Sequence, residues 1–211
     1  MPIEKTITLY RYNELADDAK KRARDWYLSG LYWPDVLEPA LDQWRILAKN
    51  LGFTIARGPW WDLYLRTFFI GRGTFLRPDD SELDALAREW GGLGGAAKDV
   101  LSLIAAVRAI RPDMSAVIED GEVIDVDGGR FHVEEPDADF QGEEWDEYDK
   151  QVEAIDKEER GNIADALSEL EALGLDWLKK EADCIESEES VAEVMEANGW
   201  LFHADGSFAR Y

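Results

Sequence analysis

Glu134–Glu159 reads EEPDADFQGEEWDEYDKQVEAIDKEE and carries thirteen carboxylates against two lysines. How this stretch is read decides the fold of the second half. A disordered acidic tail would leave Trp145, Tyr148, Val152 and Ile155 in water, yet these four recur near helical spacing and share one apolar side. The stripe runs on through Ile163, Leu167, Leu170, Leu173 and Trp177. The spacing predicts a long helical region from Glu143 to about Lys180, kinked or ended at Gly161 and Gly174.

Downstream, the pattern predicts a shorter helix over Glu188–Ala197 and a terminal hairpin in WLFHADGSFARY, residues 200–211. Upstream, MSAVIEDGEVIDVDGGRFHVEE (114–135) reads as short strands joined at Asp120-Gly121 and at Asp127-Gly128-Gly129. VLSLIAAVRAI (100–110) is apolar enough for a core helix ending before Pro112. In DDSELDALAREW (79–90), Asp79, Asp80 and Glu82 suit the positive end of a short helix. GFTIAR (52–57) and WWDLYLRTFFIG (60–71) read as two strands. The second would run through Leu63, Leu65 and Thr67 on one face and Asp62, Tyr64 and Arg66 on the other, with a turn or bulge between Gly71 and Gly73. Helices are expected over Asp17–Leu28 and in residues 34–52, where Pro39 is tolerable only in the first turn. ITLYRY (7–12) reads as an opening strand. The pattern is α+β, with helices packed on small antiparallel sheet elements and an acidic helical second half.

With 211 residues and 45% hydrophobic content, the chain can bury one sizeable core or two small ones. Its net charge of -23 is unevenly spread. Residues 1–116 contain sixteen Asp/Glu and sixteen Lys/Arg, whereas residues 117–211 contain thirty and seven. The change suggests a boundary near Ser115, between a mixed aromatic-rich α+β region (1–115) and an acidic α+β region (116–211), or one continuous domain with a change of surface. Direct binding to duplex DNA is not expected from such a surface, while a basic protein is electrostatically favoured. No apolar run reaches the roughly eighteen residues of a membrane span, and MPIEKTITLYRY lacks the apolar core of a secretory signal, so the expectation is a cytoplasmic protein with no membrane partner.

The chemistry-bearing motifs are sparse. Cys184 is the only cysteine and lies beside Asp183 and Glu186, which disfavour a thiolate. His132 and His203 stand in different segments without metal-ligand spacing. DVDGG at Asp125–Gly129 fails the calcium-loop pattern, because a loop starting at Asp125 places Arg130 where glycine is required. The glycine runs lack the spacing of a phosphate loop or dinucleotide fingerprint. The expectation is therefore a noncatalytic protein without metal or cofactor.

Two binding surfaces are candidates. A helix over Glu143–Glu159 spans roughly 25 Å and bears nine acids against two lysines. Its net charge repeats about every 3.6 Å, against about 1.7 Å for duplex DNA, so mimicry of nucleic acid needs neighbouring acids as well. The residues proposed for a basic nucleic-acid-binding partner are Glu134, Glu135, Asp137, Asp139, Glu143, Glu144, Asp146, Glu147, Asp149, Glu158 and Glu159. The alternative contact is aromatic, through Trp60, Trp61 and Tyr64, as in an antitoxin or regulatory binding protein. A small ligand-binding enzyme is the reading of a different class, in which Arg66 could orient an anion.

ITLYRYNELADDAKKRARDWY (7–27) and ESEESVAEVMEANGWLFHADGSF (186–208) resemble a diverse phage-encoded family labelled "antitoxin of toxin-antitoxin stability system". WWDLYLRTFFIGRGTF (60–75) partly resembles its Trp-rich, Gly-containing centre. Together these segments cover about half the chain. The resemblance implies a phage or prophage accessory protein acting in the host cell, in defence inhibition such as anti-CRISPR activity or in control of a toxin. It carries over no catalytic residue. LYWPDVLEPALDQW (31–44) and the segment from GGLGG to IEDGEVIDVDGG depart from the family pattern.

Overall fold

Buried Tyr148, Val152, Ile163, Leu167 and Leu170 recur at helical spacing along α5, one continuous helix over Glu143–Glu186. The computed structural model describes residues 7–91, 97–135 and 143–209. Gly161 and Gly174 do not interrupt α5, contrary to the sequence expectation. A helical glycine costs only about 1 kcal/mol, and each fully buried leucine of the stripe contributes roughly 1.5–3 kcal/mol. Gly174 is required for another reason. A Cβ there would come within 2.6 Å of the Phe68 ring and 2.8 Å of Trp44 Nε1.

The chain divides into two compact units, one formed by Met1–Ala40 with Leu178–Tyr211 and the other by Leu41–Trp177. The charge change near Ser115 is not a structural boundary, because Ser115 opens an inner strand of a sheet.

In the first unit, α1 (Asp17–Ser29) and α6 (Glu188–Ala197) bury Ala19, Ala23, Val191 and Met195 together with Tyr12, Leu15 and Phe202. The opening segment is held by a single bridge, Tyr10 to Phe202, rather than by a strand, and Phe202 bridges onward to Phe208. The terminal hairpin is thus a tight turn with Asp205 Oδ1 accepting from Ser207 N–H at 3.0 Å. Trp26 stacks on Phe208 with centroids 4.5 Å apart. Arg24 donates from Nη2 to the Glu186 carbonyl at 2.7 Å, placing a cation on the negative end of α5. The two segments that carry the family resemblance lie in this one unit. Pro39 sits inside α2 (Trp33–Asn50), beyond its first turn. Pro39 and Asp35 are both exposed, so water can reach the carbonyl that loses its helical donor.

In the second unit, β1 (Phe53–Arg57), β4 (Arg72–Leu76), β5 (Ser115–Glu119) and β6 (Glu122–Asp127) form an antiparallel sheet in the order β1-β4-β5-β6. Asp120 and Gly121 make the β5–β6 turn with φ of 50° and 80°, the primed geometry that matches strand twist. WWDLYLRTFFIG is not one strand. It folds back as β2 (Trp60–Asp62) and β3 (Thr67–Phe69), a separate hairpin. Asp62 Oδ1 accepts from Leu65 N–H at 2.8 Å and Arg66 takes φ 57°, closing a turn without glycine. α3 (Asp80–Trp90), with Asp79 and Glu82 in a capping box, packs on α4 (Ala97–Ala109). After β6 the chain enters a 3₁₀ turn, Gly129–His132, instead of a third strand, because Gly129 N–H donates to Asp156 on α5 at 3.0 Å. Among the described residues no helix is long and apolar enough to cross a membrane.

Candidate binding surfaces

The acidic surface begins where β6 and the first turns of α5 come together. Leu41–Trp177 holds thirty-one Asp/Glu and fourteen Lys/Arg, net -17, and the other unit fifteen and nine, net -6. Glu134 and Glu135 are exposed, as are Glu144, Asp146, Glu147, Asp149 and Glu158 on α5. Asp137, Asp139 and the side chain of Glu143 lie outside the described residues. Acids on the first turns of α5 are favoured by the positive end of its dipole.

Glu159 does not belong to this surface. It is 1% exposed and sits within the buried stripe, where Arg111 Nε lies 3.2 Å away and Asn162 Nδ2 donates at 3.1 Å. Burying the carboxylate is tolerable because a cation and donors surround it. Glu158 is exposed but engaged by Arg111 Nη2 at 3.2 Å. Glu144, Asp146, Asp149 and Glu153 form no ion pair among the described residues, so the start of α5 keeps unneutralised charge.

At 3.6 residues per turn, Glu144, Glu147 and Glu158 fall on one flank of the buried stripe, and Asp146, Asp149, Glu153 and Asp156 on the other. Lys150 and Lys157 project between the flanks. The face is therefore two carboxylate strips divided by a lysine ridge, a feature visible only once the buried side is known. The second strip borders a groove of about 450 Å³ that also takes in Asp125 of β6, with Arg130, Lys157 and Arg160. Arg160 Nη1 donates to the Val123 and Ile124 carbonyls at 3.2 and 2.9 Å. It thereby covers part of the edge of β6.

The aromatic surface is the β2–β3 hairpin. Tyr64 is 93% exposed, Leu65 66% and Trp60 46%, while Trp61 is half-buried opposite buried Phe68. The hairpin base is anchored by Glu171 on α5, whose Oε1 accepts from Ile70 N–H at 2.8 Å. Burial pushes the Glu171 carboxyl up to about 7, opposed by that hydrogen bond. Glu171 does not stand out in the sequence, since its role depends on a contact with Ile70, far along the chain.

A third concavity, of about 540 Å³, lies in the first unit between Lys20, Lys21 and Arg24 on one side and Asp183, Glu186 and Glu188 on the other. Tyr12 borders it, its hydroxyl raised above the usual tyrosine range by burial and then by the Glu188 carboxylate. Its charges are of both signs and lie in opposed rows. Among the described residues no cluster of three or more His, Cys, Asp or Glu side chains is placed to hold a metal ion.

Comparison of the chain with protein-family models, curated proteins and solved structures returns no match.

Proposed function

We propose that the protein is a noncatalytic binding protein whose acidic face on α5 captures a basic, nucleic-acid-binding partner and occludes the surface that partner uses. The observation that carries this reading is the strip of carboxylates Asp146, Asp149 and Glu153, which form no ion pair among the described residues, with Asp125 across the groove. A cationic cleft would gain from these charges, and the pairing would steer association and weaken with salt. With the resemblance of its terminal segments to phage accessory proteins, the reading becomes an inhibitor of a host defence system, anti-CRISPR systems included.

The test begins with affinity capture from a host carrying its native defence and toxin systems, and continues with the purified pair. Reversing Glu144, Asp146, Glu147 and Asp149 to lysine should weaken binding at least tenfold and flatten its salt dependence, while the wild-type protein displaces nucleic acid from the partner. Unchanged affinity in the reversed variant refutes the electrostatic role.

The exposure of Tyr64 and Trp60 favours a second reading, a toxin-neutralising or regulatory protein that binds through the hairpin. Trp60→Ala with Tyr64→Ala would then weaken the complex more than the four charge reversals do.

A further inference from the structure

Arg57 and Arg72 face each other directly across β1 and β4. Like charges in that position repel. Among the described residues Arg57 forms no ion pair, and Arg72 reaches only Glu119, at 3.8 Å with both side chains well exposed. The Trp60 indole lies beside the first of these, with Arg57 Cζ over the ring at 5.4 Å from its centroid. Gly71 makes room for the ring, since a Cβ there would meet Trp60 Nε1 at 2.5 Å. Phe69 is the cross-strand partner of Trp60, so both side chains share one face of the hairpin.

We infer that this platform binds single-stranded nucleic acid, with a base stacked on Trp60 and its flanking phosphates on Arg57 and Arg72. The geometry supplies what that ligand needs, an indole that is nearly half exposed, with one cation over its ring and a second cation paired across the strands. An acidic peptide would neutralise the arginines without using the exposed part of the indole. A duplex keeps its base faces stacked and offers none to Trp60. The protein's net negative charge opposes approach of any polyanion, yet exposed charges more than about 8 Å away are largely screened at physiological salt. The platform is separate from the acidic face of α5 and does not depend on what that face binds.

The probe is a fluorescein-labelled twelve-nucleotide oligothymidylate, titrated with the full chain and followed by anisotropy. Saturable binding is expected at 50 mM salt, weakening about sevenfold at 200 mM if two phosphates are held, from a slope of roughly -0.7 per phosphate on single strands. An abasic dodecamer of equal charge should bind about tenfold more weakly. Arg57→Glu with Arg72→Glu should abolish binding, Trp60→Ala should reduce it about tenfold and Trp60→Phe less. Lys20→Glu with Lys21→Glu, on α1, should leave it intact. The arginine pair is exposed, so that variant carries the test if the Trp60 variants fail to fold by circular dichroism. Absence of saturable binding at 50 mM salt overturns the inference. So does equal affinity for the abasic strand or for poly-glutamate, or indifference to the arginine reversals.

Discussion

Arg111 Nε lies 3.2 Å from Glu159 Oε1, and the carboxylate it holds occupies a place in α5 where the spacing calls for an apolar side chain. The Arg111 backbone N–H and the Asn162 amide complete its shell at 3.4 and 3.1 Å. Removing one member of a fully buried pair costs about 3–5 kcal/mol. Arg111 keeps 37% exposure and can turn to water, so Glu159→Ala should destabilise the protein by about 1–3 kcal/mol in urea unfolding. Adding Arg111→Ala to that variant should cost little more, because the interaction is already gone. A loss in the double variant equal to the sum of the two single losses would show that the pair is not coupled.

Glu171 makes stability depend on pH in a window that can be named in advance. Its carboxyl ionises at an ordinary value near 4.5 in the unfolded chain and at about 7 in the folded protein. Below about 4.5 both states are protonated and nothing is lost. Between 4.5 and 7 the unfolded chain ionises while the folded one retains its proton, so the group's contribution to stability falls as pH rises and levels off above 7. Glu171→Gln keeps an oxygen for the Ile70 N–H without the buried charge. It should flatten this part of the profile and stabilise the protein at pH 8 by on the order of 1–3 kcal/mol. Parallel stability curves for the two proteins from pH 4.5 to 8 would assign the ionisation elsewhere.

Much of the fold can be read from periodicity, and what cannot is non-local. The α5 stripe, the α3 capping residues and the Asp120-Gly121 turn are visible because each signal lies within a few residues of the element it specifies. The β2–β3 turn is hidden, since an Asp62 side-chain bond and a left-handed Arg66 replace the expected glycine. Glu159 reads as one more surface acid because its cation, Arg111, lies 48 residues away. The Arg57–Arg72 opposition depends on strand register, shifted by an irregularity between Ile55 and Arg57. Charge composition locates the acidic half, but only the fold separates available acids from buried Glu159 and exposed Glu158, both of which Arg111 engages.

The exposed hairpin tip should tolerate change without loss of fold. Tyr64 is 93% exposed and its neighbours in the turn are held through Asp62. Tyr64→Ala should alter stability by less than about 0.5 kcal/mol, whereas Asp62→Ala removes the acceptor of the Leu65 N–H and should loosen the turn. Faster amide exchange at Leu65 and Arg66 in Asp62→Ala, with Tyr64→Ala unchanged from wild type, is the expected pattern. Equal exchange in all three proteins would mean that the Asp62 side chain does not order the tip.

Gly161 and Gly174 occupy the same helix and should respond in opposite directions to the same substitution. Gly161 is exposed, with nothing within 4 Å of the position a Cβ would take. Alanine there reduces the entropy lost on folding and should stabilise the protein by about 0.5–1 kcal/mol. Gly174 is buried, and a methyl group would press on the Phe68 ring at 2.6 Å and on Trp44 Nε1, the donor to the Leu170 carbonyl at 2.9 Å. The propensity gain is the same, but overpacking costs about 1–3 kcal/mol, so Gly174→Ala should be destabilising. Phe68 lies in β3, opposite Trp61, so the strain should also reach the aromatic hairpin and broaden the indole resonance of Trp61 in NMR spectra. Gly161→Ala should leave that resonance unchanged, and equal stabilisation by the two alanines would mean that Gly174 is not pinned between Phe68 and Trp44.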